Sequence, residues 1–300
     1  MRKSLAAYAL VFAAVVPAAI TVTGTPSARA SQEVSELIPA YIYPANLASG
    51  TAEQENGKNI WHHLCDTAST SGASSTIIAN IDNGPGSSYD SNWASAMNYC
   101  ANKRLNVVGY VYTSYGQRSV SSVEGDIAEW VSLYGANVQG IFFDGVPTSA
   151  TDSRCPDSDC ESYYATLIAY AQSEISDALI ITNPGSSNSD SGWILSNRAM
   201  NDHPADIDVI FEGDVSSFTS WSPPSWFESS ESGSVATLVY QDPGTTDTAP
   251  ADASAVCTDM QNDGAGIGVV WNNDSNDDTW STDPTTLTGN GIWDDFVSNC

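Results

Sequence analysis

VQGIFFDG, residues 138–145, is an apolar run that ends in an acid and then a glycine. Val, Ile and two Phe suit a pleated, buried strand, and the run is continuous rather than alternating. A strand that is apolar on both faces is covered on both faces, the situation of parallel sheets. Asp144 and the permissive Gly145 mark where the strand gives way to a loop. The stretch therefore predicts a buried parallel strand that delivers a carboxylate to the carboxyl edge of a sheet.

Seven other apolar runs are likewise bounded by turn signals: LIPAYIYP (37–44), TIIANID (76–82), NVVGYVYT (106–113), ALIITNPG (178–185), IDVIFEG (207–213), VATLVYQDPG (235–244) and GIGVVWNN (266–273). They recur about every 28 to 40 residues, room for one strand plus one helix. Between them, SNWASAMNYCANKR (91–104), SVEGDIAEWVSLYG (122–135), CESYYATLIAYAQSEI (160–175) and DASAVCTDMQND (252–263) carry apolar residues at helical spacing. Ser91 and Ser122 are expected as N-caps and Gly135 as a helix stop. Eight β-then-α units predict an α/β fold, a single (β/α)₈ TIM barrel over residues 31–300. Strand one is expected near Ile38 and the end of the last helix near Cys300. A doubly wound open sheet would be expected to open a helix with a Gly-rich phosphate loop after its first strand, and the sequence has none.

Residues 1–30 stand apart. Arg2 and Lys3 precede the apolar LAAYALVFAAVVPAAI (5–20), and SARA (27–30) supplies an Ala-x-Ala ending. This is the pattern of a secretory signal peptide cleaved after Ala30, so a secreted, extracellular protein is expected. No later run reaches the roughly 20 apolar residues of a spanning helix. The chain carries 36 acids against 9 Lys plus Arg. Loss of Arg2, Lys3 and Arg29 with the signal leaves 6 bases against 36 acids, a balance of −30. Such a surface repels phosphate backbones and anionic lipid, so no nucleic-acid or membrane partner is expected. It suits a cationic or neutral substrate, and it equally keeps an exported monomer in solution.

The six cysteines of an exported chain read as disulfides, for which sequence alone permits 15 pairings. Barrel order favours one set. Cys65 and Cys100 fall on or near helices after strands one and two, and Cys257 and Cys300 on those after strands seven and eight, while Cys155 and Cys160 close the short loop CPDSDC. No metal or cofactor is expected: there is no Cys-x-x-Cys, and the paired histidines, His62 and His63, are adjacent and so point apart on a helix.

In this fold, chemistry comes from the C-terminal strand ends. Those ends hold Tyr41, Tyr43, Asn80, Asp82, Tyr110, Tyr112, Thr113, Asp144, Asn183, Glu212, Tyr240, Gln241, Asp242, Trp271 and Asn272. A rim of aromatics, amides and carboxylates without a basic residue is a sugar-binding pattern. Rings stack on the apolar faces of sugars, and two carboxyl groups can cut a glycosidic bond. Asp144 and Glu212 are the expected catalytic pair because both end very apolar strands, where a carboxyl's pKa is raised and general-acid work is favoured. Tyr41, Tyr43, Asn80, Tyr110, Tyr112, Asn183, Tyr240 and Trp271 are the expected substrate-binding residues. Asp82, Asp242 and Asp274 read as caps or loop anchors. Serine hydrolysis lacks its Gly-x-Ser-x-Gly elbow and a placed base, His203 lying in NDHPAD (201–206). Phosphoryl transfer lacks the basic residues it needs.

IPAYIYP (38–44), NGPG (83–86), GYVYTSYGQR (109–118), DIAEW (126–130) with VQGIFFDG, NPG (183–185) and IFEG (210–213) occur here in that order. As an ordered set they resemble spherulin-4-like proteins, glycoside hydrolase family 135. The resemblance implies a (β/α)₈ barrel and an exported endo-acting hydrolase. Its implied partner is an amino-sugar polysaccharide, an α-1,4-linked galactosamine or N-acetylgalactosamine polymer of the galactosaminogalactan kind. It also implies acids at Asp144 and Glu212. Two departures stand out: the family's strand-four Asp–Glu pair is Asp144–Gly145 here, and Ile81 replaces a proline after Asn80. If the absent glutamate were the acid, the barrel would bind polymer without cutting it. Asp152 and Asp214 are nearby carboxylates that would have to substitute.

Overall fold

Each of the eight apolar runs forms a strand in the computed structural model, which describes residues 34–44, 52–71, 74–186, 191–195, 204–223, 232–240, 249–263, 265–271, 279–281 and 292–300. The predicted signal, His203, Gln241, Asp242, Asn272 and Asp274 lie outside these residues. The strands are β1 (Ser35–Ala40), β2 (Thr76–Ala79), β3 (Asn106–Tyr112), β4 (Gly140–Asp144), β5 (Leu179–Asn183), β6 (Ile207–Asp214), β7 (Val235–Tyr240) and β8 (Ile267–Trp271). They pair in chain order, all parallel, and β8 returns to β1 to close the barrel. The predicted (β/α)₈ TIM barrel is the observed fold.

Seven α-helices flank the strands among the described residues: α1 (Ala52–Ala68), α2 (Ser91–Asn102), α3 (Val120–Tyr134), α4 (Cys160–Glu174), α5 (Val215–Phe218), α6 (Ala249–Asp263) and α7 (Ile292–Asn299). Eight regular units were expected, and the fifth and sixth depart from that. After β5 the described residues hold only the short 3-10 turn Ser191–Ile194, and α5 is a single turn. None of the described helices is long and apolar enough to cross a membrane. Two N-caps also fall earlier than expected. Asp90, not Ser91, caps α2 by accepting from the Asn92 amide at 2.8 Å. Ser119, not Ser122, caps α3, and Ser122 is the residue whose amide it satisfies. Gly135 ends α3 at φ 52° as its sequence position implied.

Burial explains why these runs are apolar on both sides. Ile141, Phe142 and Phe143 of β4 are fully buried. Phe142 stacks on Tyr110 of β3 at 6.0 Å between ring centres, and Phe143 meets Tyr164 of α4 edge-on at 6.5 Å. Helix α3 presses directly on β3: a Cβ at Gly109 would sit 2.6 Å from the Trp130 ring, whose Nε1 donates to the Tyr110 carbonyl at 2.9 Å. Disulfides tie α1 to α2 through Cys65–Cys100 and α6 to the chain after α7 through Cys257–Cys300, while Cys155–Cys160 closes the loop before α4. These are the pairs expected from barrel order, and no described cysteine is free.

Register sets which strand residues face inward. Tyr112, Asp144 and Asn183 are level across β3, β4 and β5. Strand β6 is irregular: Val209 is level with Ala236 and Glu212 with Leu238, so three steps of β6 match two of β7. Side chains alternate along a strand, and a bulge re-aims those beyond it. Because Leu238 lines the cavity described below, the extra residue is what brings Glu212 to that side.

Candidate functional site

At the C-terminal mouth of the barrel lies a cavity of about 340 Å³ whose walls include Asp144, Asn183 and Glu212. One amide organises it. Asn183 Nδ2 donates to Asp144 Oδ1 at 3.0 Å and to Glu212 Oε2 at 2.8 Å. Its Oδ1 accepts from the Gly185 amide at 2.9 Å, which fixes the side chain's orientation. The two bonds end to end limit the separation of those carboxylate oxygens to 5.8 Å. With the roughly 120° between the two hydrogens of an amide, linear bonds would set the oxygens about 5 Å apart.

Each carboxylate has a second donor. Tyr110 Oη donates to Asp144 Oδ2 at 2.6 Å, and Trp280 Nε1 donates to Glu212 Oε1 at 3.2 Å. Burial, then the charge of Asp144 and the hydrogen bond to it, push the Tyr110 phenol far above its ordinary value, so it remains a donor. The Asp144 carbonyl accepts from Thr113 Oγ1 at 2.8 Å, and that hydroxyl pairs with Tyr164 Oη at 2.7 Å, which anchors the end of β4.

Of the expected substrate-binding residues, Tyr41, Asn80, Tyr110, Asn183 and Tyr240 line the cavity. Tyr41 meets Tyr110 edge-on at 5.6 Å. Asn80 Oδ1 also accepts from the Gly84 amide at 3.0 Å and so shapes the NGPG loop. Three residues fall elsewhere. Tyr43 stands on the outer surface, where its hydroxyl donates to Asp90 Oδ2 at 3.0 Å. The Tyr112 ring lies against Gly145. Trp271 is fully buried, and Trp280, 5.9 Å away between ring centres, takes the wall position instead.

Sequence reading missed Tyr115 and Trp280. Trp280 belongs to a short turn outside any strand, and nothing local marks it. Tyr115 follows Ser114 in left-handed backbone, at φ 56° and 53°. Its amide donates to the Gly145 carbonyl at 2.6 Å, and the Arg154 guanidinium lies 4.4 Å from its ring centre. Gly145 is itself left-handed at φ 67°, and a Cβ there would sit 2.8 Å from Tyr112 Cε2. A side chain at Gly145, where the resemblance implies glutamate, would therefore be strained. Neither suggested substitute lines the cavity. Asp152 pairs with Arg154 at 2.9 Å, which holds its carboxyl below the usual range. Asp214 caps α5 through the Ser217 amide at 2.8 Å, and its bond from the Ser216 hydroxyl leads the causes that lower its carboxyl. Among the described residues no three His, Cys, Asp or Glu side chains cluster as metal ligands would.

Residues 35–299 match the family model described as spherulation-specific family 4. Spherulin-4 of Physarum polycephalum is 32% identical over 160 residues, which is 53% of this chain and 41% of that protein, so the match spans about two fifths of that relative's length. Among solved structures, xylanase 10C of Cellvibrio japonicus is similar at 9% identity and TM-score 0.50, covering 90% of this chain and 70% of that one. An endo-1,4-β-xylanase of Penicillium canescens is similar at 12% identity and TM-score 0.50, covering 87% and 88%. These two likenesses are of fold.

Proposed function

The chain belongs to spherulation-specific family 4, and on that premise we propose that it is a secreted, endo-acting glycoside hydrolase cleaving α-1,4-linked galactosamine or N-acetylgalactosamine polymer. One observation carries the reading. A single amide, Asn183, holds Asp144 and Glu212 together in an open, tyrosine-walled cavity at the catalytic end of the barrel. Asp152 is satisfied by its Arg154 ion pair and Asp214 by capping α5, whereas Asp144 and Glu212 border an open cavity. Membership of glycoside hydrolase family 135 is part of the same proposal, and three disulfides support export.

An oxygen separation of about 5 Å fits a retaining mechanism, in which the carboxyls stand about 5–5.5 Å apart. Asp144, held by the Tyr110 phenol, is the nucleophile. It bonds to the anomeric carbon as the C–O bond to the leaving sugar breaks, and Glu212 gives that oxygen its proton. Water then attacks the anomeric carbon, Glu212 takes the water's proton, and Asp144 departs as carboxylate. Throughout, Asn183 keeps both groups aimed at one bond.

Gly145 favours a second reading, a barrel that binds the polymer without cutting it, because the family's acid is absent there. Reducing-end release from purified acetylated and deacetylated polymers separates the two. The hydrolase reading expects release with retained anomeric configuration, and Asp144→Asn and Glu212→Gln each lower turnover at least about a hundredfold with unchanged melting. Binding without release selects the second reading, and full activity in both variants refutes the assignment of the pair.

A further inference from the structure

Two tyrosines stand out on the described surface. Tyr43 is 48% exposed and Tyr89 59%, and they are the exposed large hydrophobic side chains among the described residues. Single exposed rings need no explanation. These two are neighbours at the same mouth, Tyr43 in the loop after β1 and Tyr89 in the loop after β2. One acid joins them. Asp90, next to Tyr89 in the chain, accepts from the Tyr43 hydroxyl at 3.0 Å and caps α2. The Asn92 side-chain Nδ2 donates to that hydroxyl at 2.9 Å.

Both rings are held rigid from behind. Tyr89 stacks on the buried Tyr134 at 5.9 Å, and Tyr43 meets the buried Trp93 edge-on at 6.2 Å. Tyr134 Oη in turn accepts from the Asp90 backbone amide at 3.3 Å. An aromatic face fixed in this way loses little conformational freedom when a ligand covers it. The same two loops also build the cavity wall: Tyr41 is two residues before Tyr43, and Asn83 lies in the loop that ends at Tyr89. Two residues of chain reach at most about 7 Å, so the Tyr43 backbone lies within that distance of the wall residue Tyr41.

We propose that Tyr43 and Tyr89 form a distal subsite that holds a stretch of polysaccharide leaving the cavity, the rings taking apolar sugar faces and the Asp90 carboxylate attracting a free amino group. This rests on the glycan-cleaving reading above and adds a second point of contact on the same polymer. A chain gripped at two points gains by effective concentration, and a short ligand that fills only the cavity does not.

The test measures binding, without turnover, in Glu212→Gln. α-1,4-N-acetylgalactosamine polymer, partly deacetylated, and its trisaccharide are titrated against this protein with and without Tyr43→Ala and Tyr89→Ala together. The subsite predicts that the double change weakens polymer binding about tenfold and trisaccharide binding less than threefold. Equal losses on both ligands, or none on either, overturn the subsite while leaving the cavity reading intact. Binding of neither glycan by Glu212→Gln itself overturns the glycan reading, and the subsite with it.

Discussion

Tyr110 touches Asp144 from a position buried enough to keep its own proton far into alkali. A hydrogen bond to a carboxylate favours the charged form. Tyr110→Phe therefore makes Asp144 hold its proton to higher pH, and the acid limb of the kcat/KM profile moves upward by about one unit. That size follows from the roughly 1.5–3 kcal/mol of a charged hydrogen bond. An unmoved limb would separate Tyr110 from the chemistry. Gly145 makes the opposite kind of claim, that a residue cannot be put back. A side chain at φ 67° costs about 1–2 kcal/mol, and the Tyr112 ring must also shift. Gly145→Glu is expected to melt several degrees lower and gain no turnover. An active variant with unchanged melting would show that the loop accepts the family's acid after all.

The eight strands were legible because a parallel strand covered on both faces has to be written as a continuous apolar run. The 3-10 turn after β5 and the single-turn α5 were not, since neither 187–203 nor 215–234 carries a sustained run of apolar residues at helical spacing. Caps shifted because Asp90 and Ser119 compete with their serine neighbours, and the choice depends on where the loop enters the helix. Within the site, Asp144 and Asn183 could be read as strand ends. The inward turn of Glu212 could not, because it depends on a bulge that no local signal announces. Trp280 was hidden for a related reason: its role comes from packing over Trp271, not from a pattern in its own segment. The three disulfides differ in the length of chain they close. Loops of 35 and 43 residues correspond to about 4 kcal/mol each in the chain-entropy model, against about 2 for a loop closed over 5. Cys65→Ala/Cys100→Ala and Cys257→Ala/Cys300→Ala should each lower denaturant midpoints more than Cys155→Ala/Cys160→Ala. The reverse order would mean that the short loop, which backs Gly116 and Tyr115, carries the fold.

Across the molecule, buried tyrosines couple stability to alkali. Burial pushes the Tyr163 phenol up to about 12, and Tyr110 and Tyr164 higher still. In the unfolded chain tyrosines ionise near 10. Above that pH the unfolded state holds fewer protons than the native one, so stability falls as pH rises. The contribution is complete below about pH 10 and is lost through and beyond pH 12, and the formal charge of −27 adds repulsion of the same sign. Melting temperature followed from pH 8 to 12 should drop above 10, less steeply in Tyr163→Phe, and a flat profile to pH 11.5 would contradict this. The closure of the barrel has one more consequence. β8 pairs with β1, and the Val34 amide donates to the Cys300 carbonyl at 3.3 Å. The sheet is therefore a ring in which no strand is intrinsically first. Ligated at that contact and reopened at the exposed Ser176–Asp177 turn, on the face away from the mouth, the same residues would describe the same barrel in a different reading order. The order of strands along the gene and their order around the barrel are separable properties of this protein.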